Sequence, residues 1–147
     1  MKLRTSLAAA GAAAILGTGA LMLPAVASAS SATHTLKFTA ETNKSIMFNK
    51  TSGGSQETDV NAAGKIIGFD VLYFAAVSPT TGNINVTFDT TGGLLYGTAT
   101  VSIKTNKVTN GKVTGGTGAF AGATGTIKAK NLNAAGTRTA VTITYST

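Results

Sequence analysis

Along residues 33–40, His34, Leu36, Phe38 and Ala40 alternate with Thr35, Lys37 and Thr39. A period of two is that of a strand with one face on a core and the other in water. Residues 46–48 read as a short second strand, and the Gly53-Gly54 pair with the polar stretch up to Gly64 as a connection. Residues 65–77 form the most hydrophobic run of this region, and continuous apolarity predicts a strand buried on both faces. Alternation returns over residues 83–88, where Ile84, Val86 and Phe88 oppose Asn85 and Thr87. Turn residues from Asp89 to Gly93 then lead into a strand over 94–103, which together predict a β-hairpin. Asn110-Gly111 predicts a further turn, ahead of Val113, the glycine-rich segment 115–127 and a strand over 128–132. In that part Ala123, Ile127 and Ala129 share a face opposite Thr126, Lys128 and Lys130. In the last strand, residues 138–145, Val141, Ile143 and Tyr145 point inward. About eight short strands and no amphipathic helix predict an all-β fold. A closed eight-stranded antiparallel β-barrel is favoured because closure removes exposed edges, with a two-sheet sandwich as the competing architecture.

The N-terminus follows a different pattern. Lys2 and Arg4 precede an uncharged stretch from Leu7 to Leu23, which Pro24 ends, and two small-x-small sites follow at residues 25–27 and 27–29. These are the three parts of a secretory signal peptide, here residues 1–29 with cleavage after Ala27 or, preferably, Ala29. Its length and alanine content resemble export signals of high-GC bacteria. The expectation is a secreted, extracellular domain, residues 30–147, with no membrane association after cleavage, since no later segment approaches the ~20 apolar residues of a spanning helix.

Removing the signal changes the composition. From Ser30 onward there are 24 Thr and 15 Gly, and 10 Lys and Arg against 5 Asp and Glu, a formal charge of +5. The acids are Glu41, Glu57, Asp59, Asp70 and Asp89, so beyond residue 89 the chain is purely basic. Spaced lysines of this kind read as a solvated surface, the alternative being attraction to an anionic wall polymer. There is no cysteine, which removes disulfides, thiol nucleophiles and thiolate metal sites together.

The segment GGTGAFAGATGTI, residues 115–127, resembles the shared signature of the allene oxide cyclase barrel and dirigent families. The likeness extends through Gly64-Lys65-Ile66-Ile67-Gly68, the hairpin at residues 92–97 and the closing strand. It implies an eight-stranded antiparallel barrel, in many members a homotrimer, whose interior receives a lipophilic small molecule without any cofactor. In the cyclases the cavity biases one ring closure of a reactive epoxide; in dirigent proteins it orients radicals made elsewhere. Glycines in this segment have a physical use in turns and at close strand approaches, and Phe120 is placed to plug one end of the core.

Candidate steering groups follow from the ionisable and aromatic residues. Asp70 lies within the run Gly68-Phe69-Asp70-Val71-Leu72-Tyr73-Phe74, where a carboxylate's charged form is disfavoured. It is either an acid in an apolar pocket or a solvent-facing or turn-tying residue. Glu41 ends the first strand near where the resemblance places a glutamate, and otherwise reads as a surface charge. Tyr73, Tyr96, Phe120 and Tyr145 are the aromatic candidates for ligand contact, with packing as the commoner role. Other chemistry is excluded by spacing. Gly116-x-Gly118 meets Ala121 where a dinucleotide fingerprint needs glycine. One histidine and scattered acids make no metal site. The exported domain has no tryptophan and no basic-aromatic platform for nucleic acid. The reading is a lipophile-binding barrel, acting as a cofactor-free cyclase, isomerase or stereochemical guide; the alternative is a structural or wall-associated protein using its basic half.

Overall fold

The computed structural model describes residues 32–147; the expected signal peptide lies outside the described residues. The eight strands are β1 (Thr33–Met47), β2 (Ser52–Val60), β3 (Ile66–Ala76), β4 (Thr81–Thr90), β5 (Gly93–Ser102), β6 (Val108–Gly116), β7 (Thr124–Asn131) and β8 (Arg138–Ser146). Each pairs antiparallel with its neighbour in sequence, and β1 pairs with β8, so the sheet closes into a barrel and the sandwich is excluded. The closing seam is continuous: nine successive pairs run from Thr33↔Ser146 to Glu41↔Arg138. An Arg138–Glu41 ion pair at 3.1 Å marks its far end.

Connections alternate between the two ends of the barrel, one of which is plugged and the other open. At the closed end the chain between β6 and β7 folds into a 3-10 turn, Gly118–Phe120, which inserts Phe120. Phe120 meets Tyr145 edge-on, with centroids 5.4 Å apart. Leu95, Ile143, Ala123 and Val113 complete this plug, while Phe38 and Phe88, centroids 5.6 Å apart, form the next layer. Two glycines make the plug possible. Gly118 adopts φ 58°, and a side chain there would also meet the Gly92 carbonyl; a side chain at Gly125 would run into the Thr144 carbonyl across the β7–β8 pair.

Three local expectations are corrected. Residues 46–48 are not a separate strand: β1 runs on to Met47, and the polar stretch read as connection is β2. A strand whose inward residues are Ser55, Glu57 and Asp59 has no apolar alternation to betray it. Asn110-Gly111 is not a turn but part of β6, where Asn110 takes φ 52°. The β5–β6 register shifts between Thr98 and Thr100, and the pairs resume at Thr98↔Lys112. Residues 65–77 are not buried on both faces: Phe69 and Val71 are 53% and 56% exposed, while Gly68 and Asp70 between and beside them are buried. A closed barrel has one interior, so only alternate residues of β3 can enter it.

Gly125→Val is expected to cost about 2–4 kcal/mol, since valine there collides with backbone that cannot yield. Urea unfolding of the two proteins checks this, with Thr126→Val, outward on the same strand, as the neutral control.

Candidate functional site

The inward residues divide the interior by depth. Toward the open end they leave a cavity of about 520 Å³. Its apolar wall includes Leu72, Phe74, Ile84, Val86, Val101 and Ile127, and Phe88 belongs to its floor. The polar wall comes from β1, β2 and β3: Thr42, Ser45, Ser55, Glu57 and Asp70. The loops between β5 and β6 and between β7 and β8 add Asn106, Ala135 and Gly136 at the mouth.

Strand parity explains the polar wall. On β2 the alternate residues Ser55, Glu57 and Asp59 face inward; on β3, Asp70 does, and Glu57 and Asp70 are direct cross-strand partners. Thr42, reached from β1, donates to Glu57 Oε1 at 3.0 Å, and Ser55 donates to the same oxygen at 2.9 Å. Both bonds fall on one carboxylate oxygen, which fixes the Glu57 head against the wall. Asp70 stands level with Glu57 and Asp59 lies one step deeper, only 3% and 2% exposed. Among the described residues Oδ1 of each finds no donor outside this pair, and the two carboxyls bond to each other.

Burial decides the protonation of this pair. Phe88 is the cross-strand neighbour of Asp70 on β4, and Gly68 that of Asp59 on β3, so the surroundings offer little solvation. Desolvation pushes the Asp70 carboxyl up to about 9, reinforced by the charges of Glu57 and Asp59 and by its side-chain hydrogen bond with Asp59. Desolvation likewise raises Asp59, to about 6, against the lowering effect of the hydrogen bond from Asp70. Near neutrality Asp70 therefore holds a proton and donates it toward Asp59.

The sequence candidates end in different places. Asp70 is buried and lines the cavity. Glu41 faces outward and is paired with Arg138. Tyr73 also faces outward, 43% exposed, and stacks on Phe48 with centroids 6.1 Å apart. Tyr96 neighbours the inward Leu95 and so projects from the outer face. Phe120 and Tyr145 meet each other in the closed end, away from the cavity lining, with His34 stacked on Tyr145 at 5.3 Å. Glu57 and Asp59 were missed as site residues. Their signal is the alternation Ser55-x-Glu57-x-Asp59, which has strand period but reads as a solvated face when polar residues occupy it.

No protein-family model matches this chain, and comparison with curated proteins finds no relative.

The carboxyl pair makes stability depend on pH in the sense opposite to ordinary acid lability. With both pKa values raised above those of the unfolded chain, the folded state binds more protons between about pH 4 and pH 9, so stability is full at the acidic side and falls as pH rises through about 6 and then about 9. A displacement like that of Asp59, to about 6, corresponds to roughly 3 kcal/mol. The melting temperature is expected to be several degrees higher at pH 5 than at pH 9, and Asp70→Asn to flatten the difference. Calorimetric melting across that range, on both proteins, checks the sign.

Proposed function

We propose that the barrel holds a lipophilic small molecule in its open-ended cavity, with Asp70 and Glu57 as the groups that orient it. The observation that carries this reading is the combination of about 520 Å³ of mostly apolar interior with a few convergent polar groups on one wall. Small-molecule sites occupy ~300–1,000 Å³ and have this make-up. The resemblance of residues 115–127 to the allene oxide cyclase and dirigent signature supports the same reading. Within it, the protonated Asp70 supplies a buried hydrogen-bond donor, and Asp59 behind it a base to share the proton. Such a pair suits a cofactor-free isomerisation or cyclisation in which negative charge develops on a substrate oxygen.

The neutral fluorophore N-phenyl-1-naphthylamine tests the cavity. One molecule is expected to bind per chain with enhanced emission, and Ala99→Trp, which fills the lining from β5, to abolish binding without lowering the melting temperature by more than a few degrees. Unchanged binding by that variant would place the probe elsewhere and sink the reading.

We further propose that copies of the chain associate through the outer face of β3, consistent with the homotrimer that the resemblance implies. Phe69, Val71 and Tyr73 line up there with Ile46 and Phe48 of the β1–β2 hairpin, all more than two-fifths exposed. Light scattering is expected to give an oligomer for the purified protein and a monomer for Val71→Lys; a monomeric parent protein rules the association out.

A further inference from the structure

We infer that the occupant of the cavity is a lipophilic cation, an ammonium or amidinium head on an apolar body, with the head seated between Asp70 and Glu57. This rests on the cavity reading above and names the ligand class.

The argument begins with where the charges are. Three of the five acids of the described chain, Glu57, Asp59 and Asp70, come together on the inner face of β2 and β3. All ten lysine and arginine side chains of residues 32–147 are exposed, and none lines the cavity. The interior thus carries acidic groups with no counter-cation from the described residues, while the exterior is basic. The other polar lining groups, Thr42, Ser45, Ser55, Asn106, Asn131 and Thr139, are neutral.

A second observation concerns the hydrogen bonding of these acids. Asp70 is 3% exposed, lines the cavity, and among the described residues finds no donor for its Oδ1 outside the Asp59–Asp70 pair. Buried polar oxygens are ordinarily satisfied, and a carboxyl pair with one proton for four oxygens leaves a place at the cavity wall where a donor belongs. Glu57 stands beside it as cross-strand partner, its Oε1 held by Thr42 and Ser55 while Oε2 takes neither bond. An ammonium group offers several donors and a positive charge, and so fits both carboxylates at once. Without such a ligand the site relieves its own repulsion by retaining protons, as the upward displacement at Asp70 indicates. A ligand cation takes the place of a proton.

The rest of the lining selects the remainder of the ligand. A bare metal ion is disfavoured, since no group of three or more metal-ligating side chains is arranged for one among the described residues. The rest of the lining, from Leu72 and Phe74 round to Val101 and Ile127, is largely apolar and calls for hydrocarbon or an aromatic ring. An anionic lipophile would set its charge against Glu57 and the aspartate pair, a like-charge contact in a poorly solvated site.

Isothermal titration with decylamine, decanol and decanoate, below their aggregation concentrations at pH 7.5, separates the possibilities, because the three share a chain and differ in head charge. The expected order is amine at least tenfold tighter than alcohol, with decanoate weakest. Glu57→Gln combined with Asp70→Asn should erase the amine preference and leave decanol affinity within about twofold. Glu57→Gln alone, at the more exposed of the two positions, should narrow that preference several-fold and serves if the double variant does not fold. Equal or better binding of decanol or decanoate overturns the cation assignment while leaving the lipophile cavity standing. An amine preference that survives the substitutions overturns it as well, by placing the cation elsewhere. Failure of all three probes to bind removes the cavity reading and, with it, this one.

Discussion

The β1–β8 seam is the constraint from which the rest of the structure follows. Once the first and last strands pair along nine residues, the sheet has no edge and one interior, and every side chain must be either in or out. Parity then assigns each residue. It sends Phe38, Phe88 and Ile143 to the core, and by the same rule it sends Glu57, Asp59 and Asp70 inward, although each of them separately would be better hydrated outside.

The closed end makes that interior tolerable. Phe120, Leu95, Ile143 and Val113 pack into a dry plug, and hydrophobic burial there supplies the cohesion that the cavity end does not. Seven of the eight neighbouring strand pairs have long ladders. The β6–β7 pair has only three registered partners, Gly111↔Ile127 to Val113↔Gly125, and the chain between these two strands forms the 3-10 plug. The fold thus concentrates packing at one end and leaves room at the other, where weak local density is compatible with admitting a ligand.

The carboxylates give the cavity its chemical character. A hydroxyl or amide on this wall would find partners readily, whereas two carboxyls in contact beside Phe88 cannot both ionise without strong repulsion. The pair therefore stores a proton at a place where the wall also lacks a basic residue. Whether that proton serves a reaction or gives way to a cationic ligand, the same arrangement is responsible: acids on adjacent strands facing a single low-dielectric interior. The exposed lysines of β6 and β7 contribute nothing to it, since they lie on the other side of the sheet.

Strand identity and the closed antiparallel architecture were legible in the sequence wherever burial is one-sided, as in Leu36-x-Phe38-x-Ala40 and Ile84-x-Val86-x-Phe88, because period-two hydrophobicity is a direct imprint of a single core. The glycine-rich segment also announced tight turns and close approach. Asp70 stood out because its neighbours in sequence are apolar. Its deep partner Asp59 and the clamped Glu57 did not, because β2 has polar side chains inside and the sequence carries no sign of which face of a polar strand is buried. The outward exposure of Phe69, Val71 and Tyr73 was hidden for the converse reason: an apolar run looks doubly buried until closure limits the inside to alternate residues. Local periodicity reports which side chains share a face. Only the tertiary closure decides which face is the interior, and hence that three acids converge inside one barrel.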